Sequence, residues 1–174
     1  FADESATEFN KLLLAINSVR QEYTPRQESE VYKEVPKRQS SSADERFQVL
    51  ADKFYERELE TRQEAASQVD SIAPQMSLET LLRFSESKWA GHRVAAAIGL
   101  RAWFRSHDAP IGQEAVLEAI SAGLDDQRSR VRYRYALLSK EFPAIANHFA
   151  PVLKRLAKND KNSGVRKIAK SALK

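Results

Sequence analysis

Arg93, Arg132 and Arg166 recur at intervals of 39 and 34 residues, each at the second place of a run of mostly small and apolar side chains. A guanidinium is always charged and offers a planar fork of donors, so such a ladder could grip phosphates or carboxylates bidentately. The same fork could instead tie one element to the next through an internal carboxylate. Arg128, Arg130 and Arg134 lie off the apolar stripe. With Lys140, Lys161, Lys167 and Lys170 they form a basic surface that could track phosphates with a marked salt dependence. It could also be a solvated face, or a seat for the acidic N-terminal half.

Other chemistry is poorly provided for. His92, His107 and His148 are scattered, and no two have metal-ligand spacing. Glu56, Glu58 and Glu60 lie on a polar stretch and suit solvation better than acid–base work. There is no glycine-rich phosphate loop, no Gly-x-Ser-x-Gly and no triad spacing. The chain has no cysteine, which removes a thiolate nucleophile, a sulfur-ligated zinc site and a disulfide framework. The expectation is a protein with no catalytic residues, no metal and no cofactor.

Charge is unevenly distributed. Residues 1–87 carry 11 Lys/Arg against 17 Asp/Glu, and residues 88–174 carry 17 against 7. A basic half of this kind suggests an anionic partner. The hydrophobic fraction of 42% is enough for a core, and five glycines and six prolines are too few turn formers for a many-stranded β protein. No apolar run, Val94 to Ile98 included, approaches the ~20 residues a membrane span needs. No membrane span is expected, and a cytoplasmic setting is. The chain opens on Phe1 rather than Met, so it reads as a piece of a longer protein or a processed product.

The elements that must position these residues are helical by pattern. Ser5 and Glu8 have capping-box spacing, and Phe9, Leu12, Leu13, Ile16 and Val19 form one stripe, predicting an amphipathic helix within 1–23. Residues 24–43, with Pro25, Pro36 and Ser40-Ser41-Ser42, read as a charged linker. A second capping box, Ser42 to Glu45, opens the domain at 44–174. Phe47, Leu50, Ala51 and Phe54 form its first stripe, which thins after Leu59 and resumes at Ala65, Ala66, Val69 and Ile72. Residues 44–76 are expected to be a cap or a degenerate repeat.

From Ser77 the pattern repeats. The windows His92–Leu100, Val131–Ser139 and Val165–Leu173 align without gaps. Each follows another stripe: Leu78, Leu81 and Leu82; then Ile111, Ala115, Val116, Ala119 and Ile120; then Ile145, Phe149, Val152, Leu153 and Leu156. Pro110 and Pro143 stand where a first-turn proline is tolerated. Asp125-Asp126 and Asn159-Asp160 mark tight turns within the second and third hairpins, with Ser85 to Ser87 in that place in the first. Small residues such as Ala96, Gly99, Ala136, Ala169 and Ala172 would let stacked helices approach closely.

On these residues, the stretch 77–174 resembles the HEAT-repeat family. The shared signature is a helical pair with Asp in the turn and Val-Arg opening the second helix, here Asp125-Asp126…Val131-Arg132 and Asp160…Val165-Arg166. The first repeat departs from it, with no Asp in the turn and His92 for Val. The resemblance implies an all-α fold, a short right-handed α-solenoid of about three hairpins preceded by N-terminal helices. It also implies that the repeated Arg pairs with the turn Asp of a neighbouring repeat. The His-Glu dipeptides of di-iron HEAT-like hydroxylases are missing. Trp89 and Trp103 lack the carboxylate that HEAT-like DNA glycosylases place in an aromatic cleft.

In such solenoids the second helices commonly line the partner-binding surface. The third and seventh places of each window are expected to face solvent there, giving a run of Val94, Ile98, Tyr133 and Leu137 flanked by Arg101, Arg105, Arg134 and Lys167. The expected function is a non-catalytic protein-interaction or scaffold module that binds a peptide or helix on this face. Nucleic-acid binding through Arg128, Arg130, Arg134 and Lys170 is the alternative. A third reading is a sensor or assembly domain of a multidomain receptor or defence protein.

Overall fold

The structure, a computed structural model, describes residues 42–55, 58–107 and 112–174. The expected helix within 1–23, residues 24–41 of the expected linker and Pro110 lie outside the described residues. The described helices all belong to one unit, Ser40–Lys174. Every regular element among the described residues is helical, so the fold is all-α.

The first hairpin pairs α1 (Ser42–Asp52) with α2 (Leu59–Ile72). Phe47, Leu50, Ala51 and Phe54 are buried, as their i, i+3, i+4, i+7 spacing requires. The stripe thins where a 3₁₀ turn, Lys53–Tyr55, ends the first helix. Ala65, Val69 and Ile72 then bury the inner face of α2. Pro74 falls in a 3₁₀ turn, Ala73–Gln75, that closes it.

The second hairpin joins α3 (Leu78–Ser85) to α4 (Ala90–Ser106). The hydroxyl of Ser77 caps α3 by accepting from the Thr80 amide at 3.1 Å. The third joins α5 (Glu114–Leu124) to α6 (Ser129–Glu141). The last comprises α7 (Pro143–His148), α8 (Ala150–Asn159) and α9 (Ser163–Ala172). The single stripe expected from Ile145 to Leu156 is split at Phe149. Pro151 explains the break: it has no amide hydrogen, and its ring would strike the carbonyl four residues back, so it suits only a first turn. Pro143 occupies the first turn of α7.

Packing follows the hairpin order. The helices α2, α4, α6 and α9 pack in succession, and α3 packs on α5. Helix α4 is the centre, touched by α1, α2, α3 and α6. Its residues Val94 to Leu100 are buried without a break, as expected of a helix apolar on all sides. This corrects the expectation for Val94 and Ile98. They are 8% and 3% exposed and belong to the core, because neighbours cover both flanks of α4. Close approach also explains two glycines. A Cβ on Gly99 would press on Leu81, and one on Gly123 would collide with the buried ring of Tyr135.

Candidate functional site

The recurring arginines form a ladder in register. Arg93 Nε and one terminal nitrogen donate to Asp126 at 2.6 and 3.1 Å, while its other terminal nitrogen donates to the carbonyls of Ser87 and Lys88. Arg132 repeats this with Asp160 at 2.7 and 2.9 Å and with the carbonyls of Asp126 and Gln127. Arg166 makes the same two backbone contacts, to Asp160 and Lys161. Unlike the other two, it has no hydrogen-bonded carboxylate among the described residues, although its charge helps to hold the Asp160 carboxyl low. Asp126 and Asp160 also accept from the amides two residues on, Arg128 and Asn162, closing the turns that lead into α6 and α9. Arg93 and Arg132 are therefore occupied within the fold and leave no fork for an outside phosphate.

The departure in the first repeat has a geometric cause. Ser87 stands 39 residues before Asp126, as Asp126 stands 34 before Asp160. Its hydroxyl takes the turn-closing role of those aspartates, accepting from the Trp89 amide at 3.2 Å. His92, at the place of Val131 and Val165, is buried. Its Nδ1 lies 3.1 Å from the Ser87 hydroxyl and its Nε2 lies 2.8 Å from Asp52. Serine, histidine and aspartate thus meet although their spacing gave no hint of it. The serine oxygen closes the turn before α4, and the group lies outside the cleft described below. Through Asp52 and His92 the cluster ties the first hairpin to the second.

A second network holds Arg101 and Arg105. Arg105 donates to Asp70 of α2 at 3.2 Å and, through two nitrogens, to Glu141 of α6. Arg101 reaches the same carboxylates at 3.4 and 3.7 Å. The Arg105 hydrogen bond holds the Glu141 carboxyl below its usual range. The expected flanking cations Arg101 and Arg105 are thus spent on joining three helices.

What remains is a cleft of about 840 Å³ between the starts of α2, α4 and α6 and the cap of α9. Arg128, Arg130 and Arg134 line it, and no acidic partner for these three is found among the described residues. Arg128 and Arg130 are exposed, while Arg134 is half-buried. Desolvation, reinforced by the like charge of Arg101, lowers the pKa of Arg134. An unpaired guanidinium in that setting is costly unless an anion joins it. Arg62 also lines the cleft, and no Asp or Glu does so among the described residues. Of the exposed large apolar side chains, Tyr55, Leu59 and Tyr133 line it, whereas Val49 and Leu173 do not.

The expected site residues therefore divide. Tyr133, Arg128, Arg130 and Arg134 converge on the cleft, and Val94 touches its floor from the core. Ile98, Leu137, Lys167 and Lys170 do not line it. Tyr55, Leu59 and Arg62 were missed because they flank the point where the helical stripe fades, and pattern alone read that stretch as solvated. Trp103 is half-buried, donating to the Met76 carbonyl at 3.2 Å and stacking on His107. Trp89 is half-buried against Tyr55 with Lys88 above it. Among the described residues no group of side chains could hold a metal ion, and no helix is long and apolar enough to cross a membrane.

No protein-family model and no curated protein matches this chain.

Proposed function

We propose that residues 44–174 are a short right-handed α-solenoid of the HEAT-like kind, serving as a non-catalytic interaction module that captures an acidic peptide on its second-helix face. Two features support the architecture. The second helices α2, α4, α6 and α9 pack in sequence order, and Arg93 and Arg132 each reach the turn aspartate one hairpin on. The observation that carries the function is the composition of the cleft. Three arginines without an acidic partner among the described residues line the cleft beside the exposed side chains of Tyr55, Leu59 and Tyr133. Cations beside exposed aromatic and aliphatic side chains suit a peptide with carboxylates and apolar anchors.

Panning a random 12-residue peptide library against the full chain tests this reading. The selected peptides should be enriched in Asp or Glu alongside Leu, Ile or aromatic residues. Their binding should drop at least tenfold in Tyr133→Glu. Selected peptides with no acidic bias, or binding untouched by Tyr133→Glu, would remove the proposal.

A further inference from the structure

The charge balance of the cleft identifies the anion more closely, on the reading that this face captures an acidic peptide. We propose that the cleft seats a phosphorylated side chain of a peptide, with the phosphoryl group held by Arg128, Arg130 and Arg134 and the neighbouring apolar residues laid on Tyr55, Leu59 and Tyr133.

The count of charges favours phosphate over carboxylate. A single carboxylate neutralises one of the three arginines and offers two oxygens. A phosphoryl group carries about −1.5 to −2 at neutral pH and three strong acceptors, enough to engage several guanidinium forks at once. No carboxylate competes from the described walls of the cleft. Ser129, the first residue of α6, also lines it. The positive end of a thirteen-residue helix thus adds to the field the arginines already make. Arg134 is the centre of the argument. It is half-buried, it has no hydrogen-bonded partner among the described residues, and Arg101 repels it. A compact dianion relieves both penalties.

Size and surroundings favour a peptide over a polynucleotide. A volume of about 840 Å³ lies in the range of sites that enclose a small ligand, roughly 300–1,000 Å³. It holds one modified side chain with its neighbours. A nucleic-acid strand needs cations spaced along its backbone, yet Lys161, Lys167 and Lys170 do not line the cleft. The apolar side chains at its rim match residues flanking a phosphosite.

The test is fluorescence polarisation of the full chain at 0.15 M salt. The probes are degenerate nine-residue peptide pools with a central phosphoserine, phosphothreonine or phosphotyrosine, beside unphosphorylated acidic pools. At least one phosphorylated pool should bind tenfold or more tighter than its unphosphorylated counterpart. Arg134→Gln, checked for folding by circular dichroism, should erase that preference, and Arg166→Gln, outside the cleft, should keep it. Equal binding of phosphorylated and acidic pools overturns this inference and leaves the acidic-peptide reading standing. Binding of neither removes both. A preference that survives Arg134→Gln places the phosphoryl group elsewhere and overturns the assignment. Displacement of the peptide by single-stranded oligonucleotides, with affinity rising with their length, replaces it with nucleic-acid binding.

Discussion

Asp160 accepts three hydrogen bonds, two from Arg132 and one from the Asn162 amide, with its side chain only 2% exposed. The Arg132 bond is the main cause holding its carboxyl below the ordinary range. A carboxylate whose pKa is lowered by folding contributes stability that is fully present above its unfolded value, about 4. That contribution is lost as pH falls through the lower folded value. Urea midpoints of the wild type should therefore drop on going from pH 5 to pH 3 by more than those of Asp160→Asn, which has no such charge to lose. Arg166 provides an internal contrast. Arg132→Ala strips a buried carboxylate of its hydrogen-bonded partner and should cost about 3 kcal/mol, whereas Arg166→Ala breaks hydrogen bonds to two carbonyls and removes a weaker charge effect on Asp160, and should cost about 1 kcal/mol. Equal losses in denaturant titrations would show that the carboxylate pairing adds nothing.

At the scale of the element, α5 approaches α6 closely where Gly123 leaves room for the fully buried Tyr135 ring. Gly123→Ala gains helix propensity of about 1 kcal/mol, but the new methyl has to displace an aromatic ring in a filled core. Overpacking of this kind costs about 1–3 kcal/mol. The variant should unfold at lower denaturant, and Gly123→Ala combined with Tyr135→Leu should recover much of the loss. Much of this level was legible in the sequence. The intervals of 39 and 34 residues located Arg93, Arg132 and Arg166, and the same intervals explain why Ser87 does the work of an aspartate. The places where reading failed have physical causes. Val94 and Ile98 were expected to face solvent, because periodicity describes one helix and not the neighbours on its flanks. Pro151 broke a stripe that hydrophobicity alone made continuous. Arg101 and Arg105 seemed available because Asp70 and Glu141, their partners, lie 31 to 40 residues away in sequence.

At the scale of the whole molecule, the excess of ten positive charges in residues 88–174 looks like an invitation to any polyanion. The fold decides which of those cations are engaged and which stand free. Arg93, Arg101, Arg105, Arg132 and Arg155 are all paired with carboxylates, whereas Arg128, Arg130 and Arg134 line the cleft with no acidic partner among the described residues. This sorting predicts how binding responds to salt. A protein that neutralises Z phosphates along a single strand loses affinity with a log–log slope of about −0.7Z, because condensed counterions are released. A short peptide carrying one phosphoryl group has no condensed atmosphere to release, so only ordinary screening acts, over a Debye length of about 10 Å at 0.1 M. Raising salt from 50 to 200 mM should therefore weaken phosphopeptide binding only several-fold, with the half-buried Arg134 contact the least affected. A loss of about a thousand-fold over the same interval would mean that many scattered lysines and arginines act together. The cleft would then be one stop on a longer polyanion track rather than the site itself.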